Sequence, residues 1–108
     1  MPAPDFADVA SLSEVPEEGV LSVTLPTGEQ ACLVRCGGVV SAFVDSCPHQ
    51  GMPLSAGDVL PDGTLQCAWH GARFDCRTGE VREGPAEDNA RALEVRVSDG
   101  RVWVRGEG

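Results

Sequence analysis

Turn-forming residues interrupt this chain too often for long helices to form. Pro26-Thr27-Gly28, Gly37-Gly38, Pro61-Asp62-Gly63, Arg77-Thr78-Gly79 and Asp99-Gly100 punctuate it, and thirteen glycines and eight prolines stand among its 108 residues. Signals about 8–12 residues apart suit short strands joined by hairpins. The runs between them agree. Residues 20–24, 31–36 and 39–44 are β-rich, and Gly37-Gly38 between the last two is a hairpin signal. Residues 58–60 and 64–67 read as a second hairpin, and 73–75 and 80–82 as a third. The C-terminal hairpin is the clearest. Leu93, Val95 and Val97 alternate with Glu94, Arg96 and Ser98, so the three apolar side chains are expected on one inward face, before Asp99-Gly100 turns the chain into 101–105. No window shows a capped helical period. The expected class is all-β, antiparallel, closed into a small sandwich or barrel, with one domain over residues 1–108. The first ten residues are expected to be partly loose and then to join an edge strand.

Charge narrows the function. The net charge is −9, which argues against nucleic acid and against anionic membrane surfaces, since both call for basic patches. The start, Met1-Pro2-Ala3-Pro4-Asp5-Phe6, has no basic region and no apolar run, so neither a signal peptide nor a spanning helix is expected. The expected compartment is the cytoplasm. There the five cysteines are expected as thiols or metal ligands, not disulfides.

Two stretches break the strand pattern, residues 46–57 and 68–72, and they set two loops at about residues 45–57 and 67–76. They hold Cys47-Pro48-His49-Gln50-Gly51 and Cys67-Ala68-Trp69-His70-Gly71, with seventeen residues between His49 and Cys67, enough for one hairpin to bring the chain back. The chain has two histidines, and both fall here. Iron bound to sulfide favours soft thiolates. Replacing two thiolates on one iron by neutral imidazoles removes negative charge and raises the potential. Two Cys and two His also suit tetrahedral zinc, but zinc pairs usually have two to four residues between members, unlike the first pair here.

The pattern resembles the Rieske family. The likeness reaches into the flanks, through Gly71-Ala72-Arg73-Phe74-Asp75, a proline loop at Gly84-Pro85-Ala86 and the C-terminal hairpin, and covers about residues 20–104. It implies a Rieske-like antiparallel β-sandwich or barrel with a small cluster-binding subdomain formed by two loops. It implies one two-iron, two-sulfur cluster, with one iron on Cys47 and Cys67 and the other on His49 and His70, which face solvent.

Departures within the family sort the chain further. Respiratory and photosynthetic members carry an inter-loop disulfide where Met52 and Trp69 stand here, and hydroxyls where Ala72 and Phe74 stand. Hydrogen bonds to cluster sulfur raise the potential, so a value low in the range of roughly −150 to +300 mV is expected. The resemblance then points to soluble ferredoxins of bacterial ring-hydroxylating dioxygenase systems. They are monomers, not enzymes in themselves, that pass electrons from an NAD(P)H-dependent flavin reductase to a terminal Rieske non-haem iron oxygenase. An oxygenase catalytic subunit would need a second iron site with two more histidines. The alternative is the small Rieske-like subunit of an assimilatory nitrite reductase, many of which lack the ligands. A purely structural module fits an intact ligand set least well.

The other notable residues read as packing. Cys32 and Cys36 share a face of a predicted strand, as small buried side chains do. Cys76 lies in a turn and is expected at the surface. Trp69 and Trp103 are expected to exclude water. Pro48, Pro53 and Pro85 stiffen the loops, Gly51 and Gly71 let the backbone turn near the cluster, and Gln50 and Met52 sit at its tip.

Overall fold

A computed structural model describes residues 5–46, 53–68, 71–83 and 89–106. Ten strands are found there: β1 Phe6–Ser11, β2 Gly19–Thr24, β3 Gln30–Cys36, β4 Val39–Val44, β5 Asp58–Val59, β6 Thr64–Gln66, β7 Arg73–Asp75, β8 Val81–Glu83, β9 Ala92–Ser98 and β10 Arg101–Arg105. The helical content described is two short 3-10 turns, Leu12–Glu14 and Leu54–Ala56. The all-β reading holds. No helix among the described residues is long and apolar enough to cross a membrane.

The strands form two antiparallel sheets. The larger runs β1-β10-β9-β4-β3-β2 and the smaller β5-β6-β7-β8. The large sheet curls until its edge strands β1 and β2 approach each other. Gly37 and Gly38 have φ of 58° and 80°, and Asp99 and Gly100 have 53° and 74°, the positive values that a two-residue turn needs to match strand twist. Each predicted hairpin is present. β1 begins at Phe6 and pairs with β10, so the N-terminal region is ordered earlier than its composition suggested. Arg101 and Arg105 help to fix it by pairing with Asp8 and Asp5.

β3 and β4 are buried on both faces. Ala31, Leu33, Ala42 and Val44 face a core inside the curled large sheet, with Leu25, Leu93, Val102 and Val104. Cys32, Val34, Cys36 and Phe43 point the other way, into a second core with Leu54, Leu65, Ala72 and Phe74. That is why residues 31–36 read as a nearly continuous apolar run: alternation fails where both faces are dry. Phe43 and Phe74 are 1% and 0% exposed, and burying each contributes roughly 1.5–3 kcal/mol.

Three expectations need correction: an inward Val97, a surface Cys76 and cysteines free of disulfides. Val97 does not join Leu93 and Val95 inside; it is 48% exposed. β9 pairs with β4 only at Ala92 and Leu93, so β4 does not reach far enough to cover Val97, although Val102 opposite it on β10 is buried. Cys36 and Cys76 form a disulfide, and Cys76 is buried, not superficial. The face of β3 turned toward the small sheet and the residue after β7 both reach the inter-sheet core, bringing the Cys36 and Cys76 Cα atoms to 6.6 Å, within bridging range. Trp103 is half-buried on β10, in keeping with packing.

Phe74→Ala should cost about 3–5 kcal/mol by leaving a cavity between the sheets. Val97→Ala should change stability by less than about 0.5 kcal/mol. Urea denaturation of the two variants checks this contrast.

Candidate metal centre

Of the four predicted ligands, Cys67 lies among the described residues, while Cys47, His49 and His70 lie outside them. Pro48, Gln50, Gly51, Met52, Trp69 and the loop Gly84-Pro85-Ala86 lie outside them too. The structure therefore defines the bases of the two ligand loops.

The first loop is pinned by Asp45. Its carboxylate accepts hydrogen bonds from the Ser55 N–H at 2.8 Å, the Ser55 hydroxyl at 2.7 Å and the Ser22 hydroxyl at 3.0 Å. Ser55 belongs to the 3-10 turn near the loop's end, so one side chain ties the loop's entry to its exit and to β2. Ionised acceptors make stronger hydrogen bonds than neutral ones. The second loop is closed by its backbone. The Cys67 N–H donates to the Ala72 carbonyl at 2.7 Å, bracketing the segment that contains His70, and Gly71 turns with φ of 73°.

The bases of the loops meet because β5 pairs with β6. Asp58 lies opposite Gln66 and Val59 opposite Leu65, which sets Gly57, at the end of the first loop, beside Cys67 at the start of the second. A Cβ on Gly57 would collide with the Gln66 carbonyl, so only glycine allows this approach. Cys67 is 1% exposed and packs within the apolar inter-sheet core. A soft sulfur donor in a dry, pinned loop fits an iron–sulfur cluster. Ala72 and Phe74 are fully buried and offer no hydroxyl.

Cys32 has a different role. Burial, and then the nearby Asp45 charge, push its thiol up to about 12, so it stays protonated and is a poor ligand. Sequence reasoning missed Asp45, Ser55, Ser22 and Gly57. Asp45-Ser46 before the first motif is a turn-forming pair, a faint signal. The partners of Asp45, ten and twenty-three residues away, carry none.

Asp75 anchors the small sheet. Its carboxylate accepts from Arg82 Nη2 at 2.9 Å and from the N–H groups of Arg77 at 2.9 Å and Thr78 at 3.1 Å. The Arg82 bond first, and the Arg77 amide next, hold its pKa down at about 2, against an ordinary 3.8. A lowered folded-state pKa adds stability above the unfolded value, and that stability is lost as pH falls through the folded value.

The Rieske [2Fe-2S] domain family matches residues 5–98. The ferredoxin component of the p-cumate 2,3-dioxygenase system of Pseudomonas putida is 32% identical over 100 residues, covering 93% of this chain and 85% of that protein. Human apoptosis-inducing factor 3 is 38% identical over 73 residues, covering 68% of this chain. This chain spans only 12% of the length of that relative. Among solved structures, the ferredoxin of carbazole 1,9a-dioxygenase from Nocardioides aromaticivorans IC177 superposes with a TM-score of 0.86 at 26% identity, covering 94% of this chain and 98% of that one. A domain of this kind carries one two-iron, two-sulfur cluster.

Two outcomes follow at this site. Asp45→Ala should destabilise the protein by roughly 1–3 kcal/mol, since Ser55 and Ser22 lose their acceptor, and chelator-driven bleaching of the visible absorption should quicken. Asp75→Asn should flatten the loss of stability between about pH 4 and pH 2 seen in acid titrations of the parent protein.

Proposed function

The chain belongs to the Rieske [2Fe-2S] domain family, and on that premise we propose that it is a one-electron carrier between an NAD(P)H-dependent flavin reductase and a terminal Rieske non-haem iron oxygenase. The observation that carries this reading is the nearly end-to-end match with ferredoxins of dioxygenase systems. When bound, the cluster supplies reversible one-electron chemistry at small structural cost. Cys47 and Cys67 would hold one iron, and His49 and His70 the other.

The chain's own residues suit them to that task. Asp45, Gly57 and the Cys67–Ala72 bond fix the bases of the loops, which suits a carrier that reorganises little when its charge changes. Buried apolar side chains at Ala72 and Phe74 leave the potential low in the family range. The net charge of −9 keeps a monomer soluble and favours partners with basic docking faces.

Purified protein should contain about two irons and two sulfides per chain. The reduction potential should fall at alkaline pH as His49 and His70 lose protons in the oxidised state. In a reconstituted dioxygenase system without its own ferredoxin, NADH-driven product formation should return when this protein is added. His70→Ala should lose the cluster, whereas Cys32→Ala should keep it. A colourless protein with one zinc, or a potential that ignores alkaline pH, would sink the reading.

A further inference from the structure

We propose that Cys36 and Cys76 form a thiol–disulfide clasp on the cluster-bearing sheet. Closed, it ties that sheet to β3; opened, it lets the ligand loops part and release the cluster faster. The inference rests on the reading of those loops as the cluster's holders.

Position supports it. Cys36 ends β3 of the large sheet, and Cys76 follows β7 of the small one, forty residues on. The ring they close contains Cys47, His49, Cys67 and His70. Every predicted ligand thus lies inside one covalent loop. The small sheet has need of such a tie. Its strands are two or three residues long, so its ladder is weak by itself and it opens more readily than the large sheet. Cys76 also donates its N–H to the Gly63 carbonyl at 3.1 Å, so a tie there reaches the β5–β6 turn. No other disulfide is present among the described residues.

The chemistry balances as thiol–disulfide exchange. A thiolate of a dithiol reductant attacks one sulfur of the Cys36–Cys76 bond, forming a mixed disulfide. Its second thiol then displaces the remaining cysteine. Two electrons and two protons pass to Cys36 and Cys76, and the reductant leaves as its own disulfide. Closing is the reverse, with a small disulfide as oxidant. The two cysteines are 5% and 1% exposed, so exchange waits on a local opening and the clasp resists chance reduction.

The test uses the holoprotein purified without thiol reagents. Alkylation in denaturant, before and after reduction, maps the link by mass. Chelator-driven bleaching is then timed with and without dithiothreitol, for the parent protein and for Cys36→Ala/Cys76→Ala. The link should be present, and dithiothreitol should speed bleaching of the parent about tenfold while leaving the double variant, already fast, unchanged. The variant should also melt roughly 10 °C lower. Cys36→Ser, which keeps a small side chain, should match the double variant. If the link fails to form even after treatment with oxidised dithiothreitol, or if parent and variants bleach alike, the clasp is overturned. The mass map does not depend on the cluster, and the melting difference between parent and variant can be read with or without it. A protein that takes up no iron therefore fails the earlier reading, while those two measurements still decide this one.

Discussion

The cluster end of this protein depends on two strands, β3 and β4, that are dry on both faces. One face closes the core of the curled large sheet, and the other receives the small sheet through Phe43, Val34 and Cys32. The small sheet has no comparable core of its own. Phe74, Leu65 and Leu54 leave water only by packing on that second face. Hydrophobic burial there thus does two things: it stabilises a set of very short strands and it aims the loops they carry.

The loops are held by different devices. The first is closed by a charged side chain, Asp45, reaching forward to Ser55 and back to Ser22. The second is closed by a backbone bond between Cys67 and Ala72. Their meeting point is Gly57, where the Gln66 carbonyl leaves no room for a Cβ. A rigid frame of this kind suits electron transfer, in which the surroundings should change little as the charge changes.

Legibility in the sequence followed the range of the interactions. The hairpins at Gly37-Gly38 and Asp99-Gly100 were plain because turn chemistry is local. The Cys–His pairs stood out because their spacing is local within each loop. Val97 was misjudged because alternation tells which face a side chain takes, not whether a neighbouring strand extends far enough to cover it. Cys76 was misjudged because the turn it opens reads as surface; Arg77 and Thr78 are indeed exposed, but Cys76 itself packs in the inter-sheet core.

By itself the sequence determined the all-β class, the hairpin boundaries, the Cys–His pairs and the lack of hydroxyls at Ala72 and Phe74. Each depends on residue type and on spacing along a few positions. Only the tertiary structure decided that β5 to β8 form a separate sheet, that Asp45 and Ser55 clamp the first loop, and that Cys36 meets Cys76 across forty residues. Those depend on which face of one sheet is buried against the other, and that choice is made by packing between segments far apart in the chain.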